Sequence, residues 1–116
     1  MLLRLIPKVF YADIQVGLDL FVRGLGFQVL YQDSTIHVLG RDGAKVYLMQ
    51  DAHLASLDRP ELAIETDDID AIHAEVRQRA PELLHPNAST VRLRPWGAKE
   101  FAVLDATTVC VVFRQW

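Results

Sequence analysis

Cysteine is almost absent from this 116-residue chain. Cys110 is the only one, so no internal disulfide can form, which suits a reducing compartment. No apolar run reaches the roughly 18 residues that a membrane-spanning helix needs. Lys8 interrupts the apolar opening before it can read as a signal peptide, and no small-residue cleavage site follows. A basic excess is missing as well: 12 Lys and Arg stand against 15 Asp and Glu, a formal net charge of −3. That balance argues against nucleic-acid binding. There is no Gly-rich phosphate loop, and Gly24-Leu25-Gly26 lacks the remaining glycine of a dinucleotide fingerprint. No nucleophile constellation is present, since Cys110 lies between Val109 and Val111 and reads as a packed, inert thiol. These absences set the expectation of a soluble, cytoplasmic protein with neither nucleic acid nor membrane among its partners.

What is present is an ordinary core-forming composition, 51% hydrophobic and 23% charged, in a chain long enough to bury roughly two-thirds of its unfolded surface. Leu2 to Tyr11 is branched and aromatic and reads as a strand. Asp13 offers an N-cap, and Ile14, Leu18, Phe21 and Leu25 then recur at helical spacing. Gly24 and Gly26 stop that helix. Phe27 to Gln32, Thr35 to Leu39 and Ala44 to Gln50 read as strands, the last two joined by the hairpin signal Asp42-Gly43. After a polar linker over residues 51–60 the order repeats. Glu61 to Thr66 is a strand, and Asp67 or Asp68 caps a helix bearing Ile69, Ile72 and Val76. Ser89 to Arg94, Lys99 to Leu104 and Thr108 to Arg114 are three more strands. The fold class is therefore α+β: two βαβββ modules, about 1–50 and 61–116, forming one domain. Side by side they make a curled, eight-stranded mixed sheet with helices on its outer face.

Three segments carry a resemblance. Ile6-Pro7-Lys8-Val9-Phe10-Tyr11-Ala12-Asp13, followed by a helix ending Gly24-Leu25-Gly26-Phe27, resembles the opening of the vicinal oxygen chelate superfamily. That superfamily includes glyoxalase I, extradiol dioxygenases, and fosfomycin- and bleomycin-resistance proteins. Glu61 to Asp70 resembles the opening of the family's second module. Arg94-Pro95-Trp96-Gly97-Ala98-Lys99-Glu100-Phe101 is similar to the bleomycin-resistance branch, which carries a Pro-Trp-Gly, basic residue, Glu-Phe run.

Enzymes of this superfamily hold a divalent metal on four strands, where it polarises a substrate oxygen. The resemblance implies that those positions fall at Ile6, near Tyr47, at Glu61 and at Val112. Only Glu61 is a good ligand; Ile6 and Val112 have no lone pair and a phenol suits Zn, Ni or Mg poorly. The four histidines do not pair at i, i+4 spacing. His37 sits mid-strand, and His53, His73 and His85 read as solvated surface residues. The expectation is therefore no metal, no cofactor and no catalytic residue.

Strand residues alternate between faces, and the resemblance implies the phase: the family's metal positions, Ile6 among them, point into the concavity. One phase is apolar and suits packing under helices: Val9 and Tyr11, Val46 and Leu48, Leu62 and Ile64, Val109, Val111 and Phe113. The other is mixed: Lys8 and Phe10, Tyr47 and Met49, Glu61, Ala63 and Glu65, Cys110, Val112 and Arg114. A mixed inner face suits a cleft for a polar organic molecule. The candidate ligand-binding residues are Phe10, Tyr47, Met49, Glu61, Glu65, Trp96 and Arg114. Two readings of the carboxylates stay open: Glu61 and Glu65 meet cationic groups on a ligand, or Lys8 and Arg114 neutralise them internally. Trp96 either stacks on a ligand or packs as part of a rigid turn.

The functional expectation is a metal-free small-molecule binding protein resembling the drug-sequestering, antibiotic-resistance members of the superfamily. It works as a homodimer, with Pro7 at the place where those proteins exchange an N-terminal strand. The alternatives are a metal-dependent lyase, isomerase or dioxygenase, and a non-catalytic interaction module.

Overall fold

Asp13 and Asp68 stand at equivalent points of the two halves and both cap a helix. In the computed structural model, which describes residues 1–116, the Asp13 carboxylate accepts from the Gln15 amide at 3.0 Å and that of Asp68 from the Ala71 amide at 3.1 Å. The first half runs β1 (Lys8–Tyr11), α1 (Ile14–Leu18), a π-helical turn (Asp19–Gly24), β2 (Gln28–Gln32), β3 (Ile36–Arg41) and β4 (Ala44–Gln50). The second runs β5 (Glu61–Glu65), α3 (Ile69–Arg79), a 3₁₀ turn (Pro81–Leu83), β6 (Arg92–Leu93), β7 (Lys99–Leu104) and β8 (Cys110–Gln115). The linker is not plain coil. It holds a one-turn helix, α2 (Ala52–Ala55), whose Leu54 amide is capped by Asp51.

The eight strands divide into two four-stranded mixed sheets, ordered β1-β4-β3-β2 and β5-β8-β7-β6. In each, the first strand pairs in parallel with the last and the remaining pairs are antiparallel. The repeat read from the capping aspartates is thus a repeat of topology. β1 and β5 are both edge strands, so the hydrogen-bonded ladder is not continuous between the modules.

Two strands are shorter than their sequence suggests, for one reason: a branched, apolar run is a strand only where a partner exists. β1 begins at Lys8 rather than Leu2, because its last bond toward the N-terminus is Tyr47 N–H to the Pro7 carbonyl, 3.0 Å. β6 keeps two residues of the Ser89–Arg94 run, because β7 beyond it bonds the preceding loop instead. There Ala102 donates to the Ala88 carbonyl and accepts from the His85 amide, each at 2.9 Å.

Helix α1 widens into a π turn, with Leu25 N–H bonding Leu20 C=O at 3.0 Å and Phe27 N–H bonding Phe21 C=O at 2.8 Å. Residues of this turn meet the second module's helix. Phe21, Leu25 and Phe27 share one 18-residue core with Ile69, Val76, Ala80 and Leu83. Phe101 stacks on Phe113 within it, ring centroids 5.1 Å apart. Two ion pairs close the rim of this seam, Arg41 with Glu75 at 2.8 Å and Arg23 with Glu82.

The apolar phase of each sheet is the one that packs here. Val9, Tyr11, Leu39, Val46 and Leu48 are buried from the first sheet, and Phe101, Val103, Val109, Val111 and Phe113 from the second. The mixed phase therefore faces away from the helices in both sheets.

Candidate functional site

On the first sheet the register sets Phe10 beside Met49 and Lys8 beside Tyr47. Val38 lies opposite Tyr47 and Ile36 opposite Met49. Phe10, Tyr47 and Met49 are half-buried on this face, whose charged residues are Lys8 and Lys45.

The second sheet is organised by charge. Reading across it, Arg92 lies opposite Glu100, Glu100 opposite Arg114, and Arg114 opposite Glu65. Signs alternate along this row. The next row inward is Ala102, Val112 and Ala63, and the one after it Leu104, Cys110 and Glu61. Ala102 and Val112 of the middle row form a floor of short side chains. Above it opens a cavity of about 180 Å³, bounded by Glu61, Arg92, Arg94, Glu100, Cys110 and Val112 and walled by the loop from His85 to Thr90. The loop stands there because its backbone supplies the outer bonds of β7.

The charged row is internally wired. Glu100 Oε2 accepts from Arg114 Nε at 2.6 Å and from Trp96 Nε1 at 2.7 Å. Burial works against ionisation of Glu100, yet those two hydrogen bonds outweigh it and hold its carboxyl below the usual carboxylate range. Trp116 Nε1 donates to Glu65 Oε2 at 2.6 Å. The Arg94 guanidinium lies over the Trp96 ring, 5.2 Å from a ring centroid. Arg92, Arg94 and Glu61 have no ion-pair partner.

This geometry answers two of the questions the sequence left open. Arg114 neutralises Glu100, not Glu61 or Glu65. Trp96 is tied by its indole N–H to Glu100 while its ring stays half exposed. Of the seven candidate residues, Glu61, Glu65, Trp96 and Arg114 gather on the second sheet and its Pro-Trp-Gly turn, and Phe10, Tyr47 and Met49 on the first. The cavity beside Glu61 takes no residue from the first sheet. A larger crevice of about 370 Å³ opens at the seam between modules, walled by core side chains such as Phe21, Phe27, Ile64 and Phe113 and by the charged Arg4, Arg41, Lys45 and Glu65.

Sequence reasoning missed Arg92, Arg94, Glu100 and His85 as cavity residues. Arg94 and Glu100 lie inside the Pro-Trp-Gly run that carries the resemblance, which was the available signal. One histidine is also corrected. His73 is not a solvated surface residue: its ring packs edge-on against Phe101, centroids 4.9 Å apart, and its Nε2 donates to the Ser89 carbonyl at 2.7 Å. Helix α3 turns it toward β7 because it follows Ile72 on the side facing the sheet. His85 is half-buried at the cavity wall, where Nδ1 accepts from the Asn87 amide at 3.0 Å.

As a metal site the arrangement does not fit. Nowhere do three or more His, Cys, Asp or Glu side chains come together in a way that could hold a metal ion. Val112, at a ligand position of the family pattern, forms part of the cavity floor and is 8% exposed. Burial, and after it the Glu61 charge, pushes the Cys110 thiol above its usual range, so it is held as a neutral thiol rather than a thiolate nucleophile.

No protein-family model matches the chain, and no curated protein does. Solved structures do. A bleomycin-binding protein in complex with bleomycin superposes with a TM-score of 0.81 at 16% identity, covering 97% of this chain and 98% of that one. The bleomycin-binding protein of bleomycin-producing Streptomyces verticillus, complexed with copper(II)-bleomycin, gives 0.76 at 24% identity over 97% and 95%. A glyoxalase-related enzyme from Clostridium phytofermentans gives 0.72 at 14% identity over 99% and 95%. The fold is therefore the one seen in bleomycin-binding and glyoxalase-related proteins, as the resemblance implied.

Proposed function

We propose that this protein binds a small organic molecule without a metal and without transforming it, as a cytoplasmic homodimer. The observation that carries the reading is the cavity on the second sheet. It combines a short-chain apolar floor with exposed charged groups that have no ion-pair partner, namely Glu61, Arg92 and Arg94. Unsatisfied charge beside a concave surface is what a polar ligand can use. Three of the four metal positions implied by the family pattern, Ile6, Tyr47 and Val112, are poor or impossible ligands, which supports binding over metal-assisted chemistry. The neighbours that bind bleomycin supply the analogy for the role: holding a drug-like molecule away from its target, and so resistance by sequestration.

The homodimer rests on three features. The N-terminal arm leaves Leu2 and Leu5 100% and 97% exposed. β1 and β5 are open edges. The candidate residues are split between two sheets, so a second copy would set the aromatic face with Phe10, Tyr47 and Met49 against the charged face of its partner. Pro7 at the root of the arm has no N–H to give to a ladder and suits an extended, exchanged segment.

A thermal-shift screen of drug-like aromatics, bleomycin included, tests the reading. A cavity ligand at about 100 times its dissociation constant adds nearly 3 kcal/mol of stability and is recovered unchanged. Elemental analysis showing about one transition metal per chain, or chemical conversion of the ligand, would overturn it.

A further inference from the structure

Resting on that binding reading, we infer that the ligand is dipolar: an acid group at one end, an ammonium at the other, and a flat apolar body between them. The register fixes the argument. In the row Arg92–Glu100–Arg114–Glu65 both carboxylates already have donors, Glu100 from Arg114 and Trp96 and Glu65 from Trp116. That leaves cations over. Arg92 bonds only the Thr90 hydroxyl at 3.4 Å, and Arg94 rests on the Trp96 ring. Both line the cavity, both are solvent-exposed, and neither is within ion-pair distance of a carboxylate.

Four residues back along β8 and β5 the sign reverses. Glu61, opposite Cys110, has no cation within ion-pair distance. At about 3.3 Å per residue the two rows are about 13 Å apart. Between them on the sheet the cavity floor is Ala102 and Val112, side chains too short to fill the space and too apolar to bind charge. The cavity thus has two free guanidiniums at one end, one free carboxylate at the other and a flat floor in the middle.

Neither simple ion suits this pattern. An anion seated on Arg92 and Arg94 presses its far end against Glu61 and desolvates that carboxylate without a partner. A cation at Glu61 does the same to the guanidiniums. Burying an unpaired charge is unfavourable, and that penalty discriminates among ligands more than the attraction does. A molecule with both charges satisfies both ends.

Three rigid probes of one length test this on the intact chain: 4′-(aminomethyl)biphenyl-4-carboxylate, which has both ends, 4′-methylbiphenyl-4-carboxylate, and 4-(aminomethyl)-4′-methylbiphenyl. Affinity is measured by calorimetry, and the seat is located by amide shifts at Ala102 and Val112. The dipolar probe is expected to bind about ten-fold or more tightly than either partner, the size of one charge-assisted contact. Arg92→Gln with Arg94→Gln should reduce it to the affinity of the amine probe, and Glu61→Gln to that of the acid probe. Three equal affinities with the floor amides shifting would overturn the dipolar inference and leave the binding reading standing. No shift at the floor from any probe, with the protein folded, would overturn both.

Discussion

The Tyr11 hydroxyl donates to the Asp105 carboxylate at 2.7 Å, joining the end of β1 to the turn before β8 across 94 positions of chain. Both residues are buried, at 0% and 5% exposure. Asp105 also accepts from the Thr107 amide at 2.8 Å, the Thr107 hydroxyl at 2.8 Å and the Val109 amide at 3.1 Å. Arg59, from the linker, lies over the Tyr11 ring and donates to the Phe10 carbonyl at 2.6 Å and to the Thr107 hydroxyl at 3.1 Å. Residues of both modules and one from the linker thus meet in a single network. Burial first, then the hydrogen bond and charge of Asp105, push the Tyr11 hydroxyl far above its usual range, so it remains a donor.

Removing that donor should be costly. Tyr11→Phe keeps the ring and leaves one oxygen of a buried carboxylate unsatisfied, which destabilises by about 1–3 kcal/mol. The measurement is the urea midpoint of the variant against the parent at neutral pH. An unchanged midpoint would show that the two modules do not depend on this link.

Gly17 marks the closest approach of α1 to its sheet. A Cβ there would stand 2.5 Å from Tyr11 Cε2 and 2.9 Å from Leu48 Cδ1. Gly17→Ala should therefore lower stability by about 1–3 kcal/mol through overpacking, although alanine is the better helix former. Gly43→Ala, where an added Cβ meets nothing within 4 Å, is the control and should shift the melting temperature far less.

The Glu100 carboxyl sits below its usual range in the folded state. A depressed acid contributes stability that is present above its unfolded value, about 4.3, and is lost as pH falls through the folded one. Melting temperature should therefore drop below about pH 4. Glu100→Gln should lower it at neutral pH and flatten that acid drop. A variant whose acid profile parallels the parent's would place the titration elsewhere.

Glu61 has no internal partner, so Glu61→Gln should leave stability within about 0.5 kcal/mol of the parent, as for an uninvolved surface residue. A melting temperature lower by several degrees would make Glu61 structural and remove it from the site.

The exposed arm should matter to assembly. Light scattering at micromolar concentration is expected to show a species of twice the 13.1 kDa chain mass, and deletion of residues 1–6 to shift it toward the monomer. A monomeric parent would dismiss the homodimer.

Much of the framework is legible in the sequence. The caps Asp13 and Asp68, the hairpin at Asp42-Gly43 and the two-residue alternation in β4, β5 and β8 are local signals, and each is set by dihedral preference or by periodicity within a few residues. They gave the module order and told the helix-packing face from the open one, and so placed Glu61, Glu65 and Arg114 on the open face. What sequence could not give was pairing. Arg114 with Glu100, Arg92 opposite Glu100, and Tyr11 with Asp105 depend on which strands and turns become neighbours, and opposite charges scattered along a chain do not say which of them will meet. The Leu2–Tyr11 run shows the same limit from the other side, since its composition is that of a strand but only Lys8–Tyr11 found a partner.

The sequence by itself determined the modules, their caps and the two faces of each sheet, because those follow from interactions a few residues long. Tertiary structure alone decided which charges on the open face are spent on one another and which are left without an ion-pair partner. That choice is made by strand register and by the loop from His85 to Thr90 lying against β7, where a shift of one residue would turn every side chain of the row to the opposite face.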